Sequence, residues 1–205
     1  MPEIAVDIVL LPSEEMADKV IAANKEILKQ YAHKIVLDRA TCLPHISLAM
    51  GCIDDIDIDE IGTILRTIAQ ITSLGKLNAV GIKTETNQAG EKISVLEIQK
   101  TEALQSLHEE VMKKLSPYFS YDIRPDMVLS SVQTSQSTLD WIKNYPEKSS
   151  FEHFFPHITI GYGEINNFPF PVKFTVSKLA LCHLGNHCTC RIILASTNLK
   201  KSRAY

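Results

Sequence analysis

Nothing in this sequence is apolar over the roughly 20 consecutive residues that a membrane span requires, so no membrane partner is expected. The opening Met1-Pro2-Glu3-Ile4 lacks the basic stretch of a secretory leader. Positive charge is not in excess: 21 Lys and Arg against 24 Asp and Glu leave a net charge of −3. That argues against a partner such as DNA or long RNA, whose phosphates call for a broad basic face. A small nucleotide or an RNA terminus needs only a local positive site. Five cysteines form an odd, uneven set with no C-x-x-C pair, which fits reduced thiols in a cytoplasmic protein.

Metal signals are equally thin. The acidic run Asp54-Asp55-Ile56-Asp57-Ile58-Asp59-Glu60 has neither the glycine nor the glutamate register of a calcium loop. Cys182, His183, His187, Cys188 and Cys190 lack the spacing of a zinc knuckle; the three cysteines read as core thiols on one strand face. Cys42 and Cys52 read as packing residues. Neither a metal nor another cofactor is expected.

What the sequence does contain is one short pattern written twice. Pro44-His45-Ile46-Ser47-Leu48-Ala49-Met50-Gly51 recurs in the last third of the chain as Pro156-His157-Ile158-Thr159-Ile160-Gly161-Tyr162-Gly163. Pro, His, Ile and the final Gly keep their offsets, and Ser47 answers to Thr159. Polar and apolar residues alternate, the period of a half-buried strand. On such a strand His and hydroxyl share a face about 6–7 Å apart, while Ile46, Leu48, Ile158 and Ile160 turn inward. One such H-x-[ST] strand is usually structural. The duplication carries the signal.

The rest of the chain reads as alternating elements. Ile4–Leu11 is a buried strand ending at Pro12, followed by a helix capped by Ser13 and running to about Tyr31. Ile35–Leu37 suits a short strand. The acidic run opens a helix through Ile71, and strands over 76–83 and 92–99 flank the polar turn at 87–90. Thr101 opens a helix ended by Pro117, on which His108 reads as a surface or half-buried histidine. A helix over 138–145 precedes the second motif. Strands over 173–184 and 188–196 close through Gly185-Asn186, and Lys200-Lys201-Ser202-Arg203 reads as a solvated tail. The pattern fits an α+β duplication with two antiparallel sheets.

Two imidazoles and two hydroxyls facing one another suit general acid–base chemistry on a phosphodiester. One His accepts a proton from the attacking oxygen while the other donates to the leaving oxygen; the hydroxyls donate to non-bridging oxygens. At these residues the chain resembles the 2H phosphoesterase superfamily, whose hallmark is two H-x-[ST] motifs, each here preceded by Pro, with an opening strand ending in Leu-Pro. The resemblance implies a bilobal, pseudo-two-fold α+β fold. Its two antiparallel sheets would flank a central cleft, helices outside, with residues 1–205 forming one domain of two intertwined lobes. It implies a metal-independent phosphodiesterase acting on 2′,3′-cyclic phosphates or 2′–5′ linkages of nucleotides or RNA. His45 and His157 would be catalytic, Ser47 and Thr159 phosphate ligands. Tyr162 is a candidate to stack on a base, or else a core or edge tyrosine. A monomer is expected. The competing reading is a nucleotide-binding module that keeps the cleft without catalysis.

Overall fold

The computed structural model describes residues 2–87, 90–165 and 167–200. Its eight strands form two four-stranded antiparallel sheets. One has the order β2 (Ile46–Asp54), β1 (Glu3–Pro12), β7 (Val176–Gly185), β8 (Thr189–Asn198). The other runs β5 (His157–Tyr162), β4 (Lys92–Ile98), β3 (Leu77–Thr86), β6 (Val172–Phe174). Each motif thus forms the edge strand of its own sheet, and these two edges touch. This is the bilobal α+β architecture the sequence predicts.

The helices cross between the lobes. Helix α1 (Glu14–Leu28) follows β1 but packs on β5, whereas α3 (Glu102–Leu115) follows β4 but packs on β2. Both are amphipathic, with Met16, Val20 and Ile27 buried on α1 and Leu104, Val111 and Leu115 on α3. Fully burying one such side chain is worth about 1.5–3 kcal/mol, so each lobe's edge is held by the other lobe's helix. Helix α2 (Ile58–Ile71) covers β7 and β8, its acidic start carrying Asp59 and Glu60. Acidic residues there favour the helix dipole.

Several boundaries depart from the sequence reading for identifiable reasons. Helix α1 ends at Leu28 because the amides of Gln30 and Tyr31 both turn back to the Ile27 carbonyl. Ser13 stands at its N-cap without a side-chain bond, its amide instead donating to Thr175. Ile35–Leu37 forms no strand, since the Asn24 side chain takes up its backbone: Nδ2 donates to the Ile35 carbonyl and Oδ1 accepts from the Leu37 amide. The strand expected over 173–184 is divided at Thr175 between the two sheets. Helix α4 (Gln136–Lys143) starts earlier than expected because Ser135 caps it, and α5 (Tyr145–Lys148) follows as a separate turn. The turn over 87–90 lies partly outside the described residues, as does the expected tail over 200–203.

Cysteines bring one correction. Cys182 and Cys190 are not free core thiols but a disulfide joining β7 to β8. Antiparallel pairing places them on one side of adjacent strands, with Leu184 opposite Cys190. Cys188 lies in the connecting turn, where it and His187 adopt positive φ. Cys42 and Cys52 are buried and free.

Candidate active site

Both motif strands break register at the same point. Against β1, Ser47 pairs with Val9 and Ala49 with Ile8, leaving Leu48 over. Against β4, Thr159 pairs with Val95 and Gly161 with Ser94, leaving Ile160 over. A bulge of this kind strands one residue outside the ladder, and its buried carbonyl then needs another donor. The crossed helices supply it. His108 Nδ1 on α3 donates to the Leu48 carbonyl at 2.6 Å, and Asn24 Nδ2 on α1 donates to the Ile160 carbonyl at 2.7 Å. His108 is fully buried, not half-exposed as its place in the sequence suggested; its Nε2 accepts from the Phe151 amide at 2.7 Å, and its ring stacks on Phe154.

The closing glycines have matching reasons. A side chain on Gly51 would meet the Phe119 ring at 2.9 Å, and one on Gly163 would run into the Tyr31 ring. Each ring follows the end of the helix that crosses onto that strand. Gly163 also has φ +134°, which favours glycine.

The histidines are oriented identically. His45 Nδ1 donates to the Leu43 carbonyl at 2.7 Å, and His157 Nδ1 donates to the Phe155 carbonyl at 2.8 Å. A carbonyl only accepts, so the proton sits on Nδ1 and Nε2 is the free nitrogen of both rings. His157 also stacks on Phe155, over which Lys83 places its ammonium 4.8 Å from the ring centre.

The hydroxyls are treated differently. Ser47 Oγ lies 2.6 Å from Oδ2 of the buried Asp7, whose Oδ2 is also 3.6 Å from His45 Nε2. Thr159 Oγ1 has no hydrogen-bond partner among the described residues. Tyr162 shares the motif face after the bulge, opposite Ile93, but is only 8% exposed. Lys34 sits 5.0 Å from its ring centre and His187 Nδ1 3.1 Å from its hydroxyl. It props the wall rather than offering an open face to a base.

No family model matches the sequence, and no curated protein matches it significantly. Solved structures do match. TT0787 of Thermus thermophilus aligns over 98% of this chain and 100% of its own at 13% identity, with a TM-score of 0.61. E. coli LigT complexed with 3′-AMP aligns over 98% and 100% at 13% identity, TM-score 0.56. LigT complexed with NADP+ aligns over 97% and 99% at 13% identity, TM-score 0.55. The chain has the LigT fold. That agrees, at the level of architecture, with the 2H phosphoesterase resemblance carried by the two motifs.

On this LigT fold, burial sets the resting charge of the site. His45 is pushed down to about 4, first by desolvation and further by the nearby His157; His157 is lowered by burial as well. Both rings are therefore neutral near pH 7. Asp7 is raised well above the usual carboxylate range by burial. Two surface depressions, one beside Met16, Lys76 and Phe174 and one beside Arg66 and Asn198, contain neither histidine. Among the described residues no three His, Cys, Asp or Glu side chains form a metal-binding group, and no helix is long and apolar enough to cross a membrane.

Three residues of this site were not singled out from the sequence: Asp7, Lys83 and Asn24. Asp7 had a signal, as the lone charge inside Ala5-Val6-Asp7-Ile8-Val9-Leu10-Leu11. Lys83 and Asn24 had none, since their roles depend on which sheet and helix meet the motif strands.

Proposed function

We propose that this protein is a phosphodiesterase that opens 2′,3′-cyclic phosphates or cleaves 2′–5′ linkages of nucleotides or RNA ends by two-histidine acid–base catalysis. The observation that carries the reading is the repeated locking of Nδ1 on the carbonyl two residues back, which leaves Nε2 of His45 and of His157 as the two reactive nitrogens. In the reaction a water oxygen attacks phosphorus and one neutral imidazole takes its proton. The other, as imidazolium, protonates the departing ribose oxygen, so one P–O bond forms, one breaks, and a phosphomonoester leaves. Ser47 and Thr159 hydroxyls hydrogen-bond the non-bridging oxygens, where charge builds up. Both proton transfers come from side chains of the chain itself.

Neutral resting histidines fit this scheme once the substrate is included. A phosphate anion beside them favours the imidazolium, so binding takes up the proton that the acid later donates. Lys83, over the ring that stacks on His157, is paired with Glu85 at 2.7 Å, so among the described residues the site offers a phosphate no unpaired cation on that side. LigT has been crystallised with phosphate, 3′-AMP, NADP+ and ATP, and ligands of that chemistry support a nucleotide here.

The test is turnover of nucleoside 2′,3′-cyclic monophosphates, a short RNA ending in a cyclic phosphate, and a 2′–5′ dinucleotide, with and without EDTA. Turnover in EDTA that is lost in His157→Ala supports the reading. Binding of these ligands with no turnover of any would leave the non-catalytic nucleotide-binding module instead.

A further inference from the structure

Asp7 is the residue the scheme above leaves unexplained. It stands in the middle of β1, opposite Met50 of β2 and Cys182 of β7, and is 0% exposed. Oδ2 meets Ser47 Oγ at 2.6 Å and lies 3.6 Å from His45 Nε2, too far for a hydrogen bond. Oδ1 has no hydrogen-bond partner among the described residues. The titratable groups near it are His45 on β2, Tyr145 of α5 and Cys188 of the turn before β8. None of these is a cation while His45 is neutral. An ionised carboxylate here would be buried with one oxygen unsatisfied and no opposite charge, an arrangement proteins avoid.

The geometry matters because of what Ser47 can offer. A hydroxyl carries one hydrogen. If Asp7 is ionised, Ser47 must donate that hydrogen inward, and only lone pairs face an incoming phosphate. If Asp7 carries a proton, the bond reverses and the Ser47 hydrogen is released outward. We propose that Asp7 is a positioning residue of the phosphate site, a neutral carboxylic acid whose hydrogen bond to Ser47 Oγ turns the Ser47 hydroxyl into a donor to a non-bridging phosphate oxygen. This rests on the reading of Ser47 as a phosphate ligand. Burial raises the Asp7 carboxyl in the direction the proposal needs. Thr159 needs no such partner, because nothing among the described residues claims its hydrogen.

The experiment compares wild type, Asp7→Asn, Asp7→Leu, Ser47→Ala and the Asp7→Leu/Ser47→Ala double variant on a nucleoside 2′,3′-cyclic monophosphate, a ligand that stays a monoanion across neutral pH. The amide of Asp7→Asn still donates to Ser47, so its kcat and KM at mildly acid pH should stay within about threefold of wild type. Proton uptake by a histidine on binding raises KM with pH in both proteins, but wild-type KM should climb more steeply than that of Asp7→Asn once Asp7 ionises, by up to about tenfold more per unit. In Asp7→Leu nothing claims the Ser47 hydrogen, so the hydroxyl can still donate but is no longer turned outward. Its KM should fall between wild type and Ser47→Ala, and the double variant should match Ser47→Ala, the mark of one shared interaction. An Asp7→Asn enzyme as impaired as Ser47→Ala, or a KM profile identical to wild type, would overturn the proposal. Infrared spectroscopy decides independently of turnover: a protonated-carboxyl stretch in resting wild type that vanishes in Asp7→Asn is expected, and its absence means an ionised Asp7. A protein with that band but no turnover would fail the functional reading while keeping the hydrogen-bond assignment.

Discussion

In one lobe the motif hydroxyl, Ser47, rests 2.6 Å from a buried carboxyl; in the other, Thr159 faces Val95 and the register place matching Asp7 is held by Ile93. Around that difference the two halves are closely alike. Each has its histidine tied to the carbonyl two residues back and its bulge one residue past the hydroxyl. In each a crossed helix caps the bulged carbonyl, and an aromatic ring covers the final glycine. Backbone devices are repeated while the chemistry beside the hydroxyl has diverged. The aim of the two imidazoles is thus set by parts the lobes share, and their different electrostatics by parts they do not.

The strongest way to break this comparison is to remove each histidine in turn. His45→Ala and His157→Ala should each lower kcat by about 10²–10⁴-fold, with unchanged circular dichroism. The double variant should be scarcely worse, because the two act as one unit. A variant that retained near wild-type turnover would end the two-histidine scheme.

Stability gives the next test, of whether the two bulge caps are equivalent. Asn24→Leu and His108→Leu each leave a buried carbonyl unsatisfied, at a cost of about 1–3 kcal/mol per group. Asn24→Leu should be the more damaging in urea denaturation, since Asn24 also holds Ile35 and Leu37. His108 has a second bond as well, but to one amide only. Equal losses would mean that the segment over 35–37 contributes little.

Much of this architecture was legible in the sequence because it is written in periodicity. The alternation over 45–48 and 157–160 gave the strands, and Thr101 and the acidic run over 54–60 marked helix starts, whereas the Ser135 cap of α4 was lost in a long polar run. The crossing of α1 and α3 was not legible, since an amphipathic stripe says that a helix packs without saying on which sheet. Asn24 and His108 followed from it: a polar residue on an apolar stripe acquires meaning only when a stranded carbonyl faces it. The Cys182–Cys190 link was hidden for a similar reason, as pairing depends on the β7–β8 register.

A smaller contrast lies in the closing glycines. Gly163→Ala meets the Tyr31 ring, the Ile27 side chain at 2.9 Å and an unfavourable positive φ, whereas Gly51→Ala meets only the Phe119 side chain. Strain at positive φ is worth about 1–3 kcal/mol, so Gly163→Ala should melt lower by about 1–2 kcal/mol in stability than Gly51→Ala. Adding Tyr31→Ala should recover only the ring's part, leaving the Ile27 contact and the backbone share visible. Full recovery would show that the ring alone requires the glycine.

The least effect, and the most direct probe of the difference between the lobes, is the pH dependence of stability. His45 has a folded-state value near 4, below the roughly 6.5 of an unfolded histidine. Between those values the unfolded chain binds a proton that the folded one refuses, so stability falls as pH drops through that window. Asp7 is shifted the other way. Above its unfolded value near 3.9 and up to its raised one, the folded protein holds the proton, so stability rises as pH drops. The two contributions oppose each other in the first lobe. The second lobe, with Ile93 in place of an acid, has no such counterweight to His157. Asp7→Asn should therefore steepen the acid loss of stability by about 1.4 kcal/mol per pH unit, read as the difference between wild type and variant in urea denaturation at mildly acid pH. His108, His157 and His187, all lowered by burial, contribute equally to both proteins and drop out of that difference. Parallel curves would mean that Asp7 enters the fold ionised, with His45 rather than Ser47 as the partner that matters to it.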